Sequence, residues 1–273
     1  SLFTTVYTIV DGIFVSAYVG TNALAAINVV YPLVNILYGI ALAFATGGSA
    51  LAALHIGGKK NDEASRTFSV SMAAAIVIGA LVSALILFRL PLILQMLGAT
   101  SLLMEDCKAY IYWWLFGAPI VVGKEMFTYF IRVDGSPTYS FLTALSGGIF
   151  NIVFDYIFIG QLHMGITGAA LATIIGQIIS FCISLRYMFH FKNIKLSKSS
   201  FTVSLHHWKN IFILGASACF NQIAMTVVQI VMNNTLAHYG AMSVYGGDIP
   251  LACAGIITKV NMIFMSFVIG ISP

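Results

Sequence analysis

Long apolar stretches alternate with short polar ones along almost the whole chain. Each is long enough to cross a bilayer as a helix, which needs about 20 mostly apolar residues for roughly 30 Å of hydrocarbon. The stretches lack the two-residue alternation of porin strands. The pattern predicts an all-α polytopic membrane protein with eight spans, at residues 2–19, 30–56, 66–90, 106–131, 138–160, 166–191, 207–239 and 250–272.

One connection between spans is longer and more polar than the others. It is rich in Lys, Ser and His and separates six spans from two. We therefore expect a six-helix amino-terminal lobe at residues 1–191, a cytoplasmic inter-lobe linker at 192–206 and two helices of a carboxy-terminal lobe at 207–273. Because the last span ends at Pro273 without a flanking charge or loop, we expect this second lobe to be truncated.

Composition supports the membrane assignment. Hydrophobic residues make up 59% of the chain, charged residues 8%, and the mean hydropathy is +0.95. A soluble domain of this size has too little polar surface to cover so much apolar material. The four cysteines form no CxxC pair, and the chain contains neither an HExxH nor a GxSxG motif. We therefore expect no enzyme activity and no cofactor.

The positive charges are distributed unevenly about the spans. Only Arg89 and Lys108 flank span ends on one side of the membrane. The positive-inside rule makes the richer side cytoplasmic and predicts an inner-membrane protein with a cytoplasmic amino terminus. This asymmetry explains the net charge of +4 without a nucleic-acid partner. The basic residues on the richer side are Lys59, Lys60, Arg66, Arg132, Arg186, Lys192, Lys195, Lys198 and Lys209.

Two carboxylates lie near the middle of predicted spans, Asp11 in the first and Asp155 in the fifth. A carboxylate at that depth costs several kcal/mol unless it meets a cation, a proton or water, so it indicates transport. Asn151 precedes Asp155 by one helical turn, and Tyr7 precedes Asp11 by one turn, so each pair shares a face of its helix.

A stripe of small residues in the sixth span favours close approach of a neighbouring helix. Thr173 lies on this stripe. If the first, fifth and sixth spans pack together, their oxygen-bearing side chains meet in a pocket near mid-membrane; the alternative is a structural hydrogen-bond network within a bundle. The stripe consists of Gly165, Gly168, Ala169, Ala172, Thr173 and Gly176.

Other polar side chains within the spans are candidates for a substrate cavity. Gln222, Gln229 and Asn233 share a face of the seventh span, which is equally consistent with a cavity wall and with a helix contact. Lys259 lies deep in the eighth span and requires an acidic partner or water. Lys124 and the adjacent Glu125 diverge by about 100°, so we expect each to pair with another helix. The remaining cavity candidates are Asn35, Tyr38 and Gln177.

Several short motifs together resemble the multidrug and toxic compound extrusion (MATE) transporters. They lie in order along the chain: Val-Asp-Gly-Ile-Phe-Val at residues 10–15, Gly20, Ala-Leu-Ala-Ala at 23–26, Tyr31-Pro32, Arg-Val-Asp-Gly-Ser-Pro at 132–137, Asn151-x-x-x-Asp155, and Gly-Ile-Thr-Gly-Ala-Ala-Leu-Ala-Thr at 165–173. The combination is more specific than any one motif.

The resemblance implies the fold and the site. MATE transporters have twelve spans in two six-helix lobes, so the chain would supply the first lobe and about two helices of the second. The pattern is similar to the damage-inducible and archaeal branch, in which the amino-terminal lobe binds the coupling ion. By this resemblance the site residues are Tyr7, Asp11, Asn151, Asp155 and Thr173, and the last four would bind Na⁺ in a sodium-coupled protein.

The resemblance also implies a function. We expect a monomeric antiporter in the lipid bilayer that exports small cationic, amphipathic compounds and is driven by Na⁺ or H⁺, the coupling ion replacing any cofactor. The alternative is a flippase for lipid-linked oligosaccharides, from the same wider superfamily. Flippases tend to hold pyrophosphate with several basic residues. Because the first six spans offer chiefly Lys124, we favour the exporter.

Overall fold

The computed structural model describes residues 9–194, 205–244 and 246–271, without the side chains of 205–207, 262, 263 and 265–271. Every regular element within these ranges is helical, as the apolar pattern predicts. Tyr7 and most of the predicted linker lie outside the described residues. The helices are α1 (Ile9–Val19), α2 (Thr21–Gly57), α3 (Asn61–Phe88), α4 (Leu90–Met96), α5 (Met104–Val133), α6 (Pro137–Gln161), α7 (Gly165–Met188), α8 (Leu205–Ala241) and α9 (Asp248–Ile271).

The helices follow the eight predicted spans in order, with two differences. α2 begins at Thr21, well before the predicted residue 30. α4 is an additional short helix that follows a break at Arg89 and has Pro91 in its first turn, where the fixed φ of proline suits a helix start. By length and hydropathy, α2, α3, α6, α7 and residues 208–241 of α8 are suited to cross a membrane.

α2 is the central helix of the described part. It contacts α3, α5, α8 and α9, and most of its side chains are buried. The helices close on α2 through small residues: a Cβ atom added to Gly47 would lie only 2.9 Å from the backbone nitrogen of Gly215 in α8. Backbones that approach so closely gain the packing contacts that associate helices within lipid.

The turn between α5 and α6 is fastened to the end of α7 by Asp134. This carboxylate is buried and accepts hydrogen bonds from the backbone nitrogens of Lys192 and Asn193, both at 2.8 Å, and from the Tyr187 hydroxyl at 3.0 Å. Gly135 continues the turn at φ +88°, a left-handed conformation that favours glycine. The Asp-Gly of the 132–137 motif therefore fixes where the chain leaves the first six spans.

Replacing Asp134 with Ala is expected to destabilise the protein by about 3 kcal/mol. The variant leaves two backbone donors without their acceptor, whereas the Tyr187 hydroxyl keeps Ser136 Oγ as an acceptor at 2.6 Å. Hydrogen bonds to a charged group contribute roughly 1.5–3 kcal/mol each. Unfolding of the purified protein in detergent measures the effect. Asp62→Ala, at the exposed start of α3, is the matched control. Equal loss in both variants would contradict this role of Asp134.

Candidate functional site

The site begins where α6 crosses α7. A Cβ atom added to Gly176 would lie 2.6 Å from the carbonyl oxygen of Gly147, so glycine at this crossing lets the two backbones touch. The crossing brings Asn151 next to Thr173, and the Asn151 amide donates to the Thr173 hydroxyl at 3.3 Å. The hydroxyl in turn donates to the carbonyl oxygen of Ala169 at 3.0 Å. The amide of Asn151 is thereby oriented.

Two carboxylates join this pair in the interior. Asp11 is 7% exposed, Asn151 2% and Asp155 0%. The Asp11 and Asp155 carboxylates are close enough to interact electrostatically with each other and with the ammonium group of Lys259. The structure therefore brings together Asp11, Asn151, Asp155 and Thr173, and it adds Lys259, which the sequence analysis placed among the cavity candidates.

Four buried carboxylate and amide oxygens of this cluster have no hydrogen-bond donor within the described part of the chain. Among the described residues, no donor reaches Oδ1 of Asp11, Oδ1 of Asn151 or either carboxylate oxygen of Asp155. Carboxylate and amide oxygens are the ligands that hard cations prefer. A buried acceptor without a donor costs about 1–3 kcal/mol, and a bound proton or Na⁺ removes that cost. The oxygen atoms therefore fit a hard cation or a proton.

Both carboxylate-bearing helices change their winding beside the site. α1 becomes a π-helix at Val15–Val19, one turn after Asp11, and α6 becomes one at Tyr156–Gln161, directly after Asp155. The two π-helical segments contact each other, and both contact α7. Such segments are rare and occur frequently at functional sites. The residue types in these stretches give no signal of the change.

The site adjoins a cavity of about 560 Å³. The cavity runs along α5, α6 and α7, from Asp11 and Asn151 towards Arg132 near the end of α5. Asp155 is completely buried behind this wall. A volume of several hundred Å³ is typical of small-molecule sites. Aromatic side chains contribute much of the lining: Tyr31, Tyr38, Tyr110, Trp114 and Tyr129.

The structure divides these cavity candidates into two groups. Tyr38, Gln177 and Lys259 line the cavity, whereas Asn35, Gln222 and Gln229 are not part of its lining. Gln222 instead packs against Gly39 of α2.

Gln229 belongs to a buried amide cluster that connects α2, α8 and α9. Its amide donates at 3.1 Å both to Oδ1 of Asn28 and to Oδ1 of Asn233. Asn28 donates at 3.2 Å to Asn233 and to the carbonyl oxygen of Leu251. Of the two interpretations of the polar face on the seventh predicted span, the structure supports the helix contact for this part.

Lys124 and Glu125 form an ion pair with each other on the cavity wall. Our expectation that each would pair with another helix was wrong. Although the two Cα–Cβ bonds diverge, both side chains are long and flexible enough to meet, and both are largely buried. Separating a buried ion pair is unfavourable, because it leaves each charge without a partner in the protein interior.

Sequence reasoning missed Asn28 and Tyr110. Tyr110 lies on α5, close enough to interact electrostatically with both site carboxylates. A tyrosine or asparagine within an apolar span has no distinctive spacing that reveals which way it faces. The period of apolar residues offers little help, because nearly all of the neighbouring positions are apolar as well.

The fold and the site define a class: a polytopic helical membrane protein with buried carboxylates beside an internal cavity, an arrangement found in transporters. The family model MatE matches residues 1–157, more than half of the chain. The chain belongs to the MatE family, whose members are transporters and not enzymes.

Two relatives are multidrug export proteins named MepA. The protein from Staphylococcus saprophyticus is 27% identical over 286 residues, which cover 97% of this chain and 62% of that protein. The protein from a bovine strain of Staphylococcus aureus is 27% identical over 289 residues, with the same coverage. The chain therefore spans 62% of the length of these curated relatives.

Solved structures of MATE transporters share the fold. An inward-facing transporter of the MOP superfamily superposes with a TM-score of 0.87 at 24% identity, covering 94% of this chain and 57% of that one. The multidrug transporter DinF-BH, solved as a complex, gives a TM-score of 0.87 at 25% identity, with 97% and 58% covered. The expected MATE fold is confirmed.

Proposed function

We propose that the full-length protein is an antiporter that exports cationic, amphipathic compounds in exchange for Na⁺ or H⁺. The observation that carries this proposal is the set of oxygens on Asp11, Asn151 and Asp155 that have no donor among the residues the structure describes, beside a large cavity. The resemblance to MepA supports export of several drugs, since the relatives carry that name.

The antiport mechanism follows from the charge of the site. With its cation or proton bound, the carboxylate pair carries less negative charge and attracts a positive substrate more weakly; once emptied, it attracts the substrate more strongly. A protein whose two ligands bind different states exchanges them, because each ligand shifts the conformational equilibrium against the other. Movement of one elementary charge across a potential of 100 mV supplies roughly 2.3 kcal/mol. Rocking of two lobes about the cavity would provide alternating access.

The cavity lining supports a lipophilic cation as the substrate. Tyrosine and tryptophan rings attract cations through their faces and also offer apolar contact area. Five such rings line the cavity: Tyr31, Tyr38, Tyr110, Trp114 and Tyr129. Such contacts discriminate weakly among shapes, which suits a multidrug transporter.

We further propose that the protein acts as a monomer in the cytoplasmic membrane, with its amino terminus in the cytoplasm. The candidate site and its cavity lie within one chain, so neither requires a second copy. The orientation rests on the excess of Lys and Arg on one side of the predicted spans.

A lipid-linked flippase is the second candidate, and one observation favours it. Besides Lys124, the basic residues Arg132 and Lys259 line the cavity. Two of these three charges are opposed, Lys124 by Glu125 and Lys259 by the site carboxylates. The cavity is therefore less basic than a pyrophosphate site requires, and we rank the exporter first.

Export of a fluorescent lipophilic cation from proteoliposomes tests the proposal. The full-length protein should export the dye when a Na⁺ gradient or a pH gradient is imposed, and the effective gradient identifies the ion. Absence of export under both gradients by a correctly folded protein would overturn the exporter. Movement of a lipid-linked pyrophosphate between leaflets would then support the flippase.

A further inference from the structure

Lys259 lies at the ion site, although it belongs to a distant part of the chain. It is on α9, beyond the predicted linker, while Asp11 is on α1 and Asp155 on α6. Its charge interacts with both carboxylates. The proposed second lobe therefore contributes a cation to the site of the first.

The backbone of α1 is shaped for this lysine. Gly12 follows Asp11 directly, and the Lys259 side chain lies against it. A Cβ atom at position 12 would clash with the ammonium group and would lie 3.0 Å from both Cδ and Cε of Lys259. Glycine at this position therefore opens the space beside Asp11 that the ammonium group occupies.

The charges of the site define two states. Two ionised carboxylates and the ammonium group leave a net charge of −1, so Lys259 supplies one of the positive charges that the carboxylate pair attracts. If α9 moves away with its lobe, the net charge becomes −2 and the demand for an external cation rises, because like charges close together in an apolar setting are strongly disfavoured.

We propose that Lys259 is a tethered competitor of the coupling ion. Its ammonium group occupies the carboxylate site when the lobes close over it and helps to expel the bound ion; when the lobes part, the ion replaces it. This inference rests on the proposed antiport function and explains how occupancy of the ion site is transmitted to the second lobe. Two ligands that exclude each other at one site are coupled by thermodynamic necessity.

Lys259 is the positive charge nearest to the two carboxylates among the described groups that face them. Tyr31 on α2 and Tyr110 on α5 are close to the site. The Lys124 and Glu125 pair lies further along the cavity on α5, and Thr173 and Gln177 of α7 do not titrate. Among the described residues, Lys259 is therefore the side chain whose positive charge can offset the two carboxylates.

A chemical label for protonated carboxyl groups tests the proposal without measuring transport. Dicyclohexylcarbodiimide modifies protonated carboxyls in apolar surroundings, and mass spectrometry of the peptide containing Asp155 gives its labelling rate. The full-length protein is compared with Lys259→Gln, Asp11→Asn and the double variant at one fixed pH. Lys108→Gln is the matched control, since it removes a lysine that pairs with exposed Glu105.

The labelling rate of Asp155 in the unmodified protein and the three site variants should follow the net charge of the site. In Lys259→Gln, Asp155 should be labelled at least about tenfold faster than in the unmodified protein. The carboxylates of this variant have lost their countercharge and therefore hold protons more readily. Asp11→Asn should label at least about tenfold more slowly, because Lys259 then stabilises a single carboxylate. The double variant restores the net charge of −1 and should return to within about threefold of the unmodified rate, as coupled neighbours do in a double-mutant cycle.

Three results would overturn the proposal. Equal rates in Lys259→Gln and Lys108→Gln would show that Lys259 does not act on the carboxylates. A double variant as fast as Lys259→Gln would show that the lysine merely blocks access of the reagent. Labelling of Asp155 in Asp11→Asn that is no slower than in the unmodified protein would show that Lys259 does not stabilise the ionised carboxylate. Failure of dye export, by contrast, would reject the antiporter while leaving these rates interpretable.

Discussion

Ion-driven export is expected to stop when Asp155 is replaced by Asn, although the protein still folds. The side chain keeps its size, and an amide at this depth costs less to bury than a carboxylate. The variant loses the charge that attracts the coupling ion, so the gradient no longer drives substrate movement. Dye export from proteoliposomes under the effective gradient measures the change, which should reach the level of protein-free liposomes.

The same experiment separates an ion site from a structural hydrogen-bond network. In a network, Asp155 would accept from protein donors, yet neither of its carboxylate oxygens has a donor among the described residues. Asp62→Asn, at the exposed start of α3, makes the same chemical change away from the site and should export normally. If Asp155→Asn exported at the unmodified rate, the assignment of the ion site would be wrong.

The apolar pattern predicts the helices well because the bilayer imposes their length. It is weaker at their ends, where tertiary contacts decide: α2 begins at Thr21 because Ala23, Ala25 and Ala26 are buried in the protein core before the predicted span begins. α4 was missed because seven residues are too short to produce a span signal.

Asp11 and Asp155 could be predicted as site residues because burying a charge within a membrane span costs free energy. Such residues are therefore rare in spans and indicate a function. Asn151 and Thr173 followed from helical spacing and from a resemblance between sequences. The pairing of Lys259 with the carboxylates was not predictable, because it depends on the rotation of α9 about its own axis and on the space above Gly12. Gln229 shows the same limit: its polar face was equally consistent with a cavity wall and a helix contact, and only the structure shows that it donates to Asn28 on α2.

The site combines a rigid part with a part that can move. α6 and α7 are fixed by direct backbone contact at Gly147 and Gly176, and they position Asn151 and Thr173. Lys259 lies against Gly12 through a long, flexible side chain, and its charge interacts with both carboxylates. An ion site whose ligands stay in place while its countercharge moves can change affinity without rebuilding its geometry.

Replacing Gly176 with Ala is therefore expected to impair both stability and transport. The added methyl group would lie 2.6 Å from the carbonyl oxygen of Gly147 and 3.2 Å from Cβ of Asn151, so α6 and α7 must separate. The hydrogen bond from Asn151 to Thr173 is already long at 3.3 Å and would break. Overpacking of this kind costs about 1–3 kcal/mol.

The sign of this effect is what makes it diagnostic. Alanine in place of glycine within a helix normally stabilises it by roughly 0.5–1 kcal/mol. Gly160→Ala is the matched control on α6, the other helix of the crossing, since its added methyl group meets Tyr156 at an ordinary 3.6 Å. Thermal unfolding in detergent and ion-driven export should both fall in Gly176→Ala and remain unchanged or improve in Gly160→Ala. Equal behaviour of the two variants would show that the α6–α7 crossing does not position the ion site.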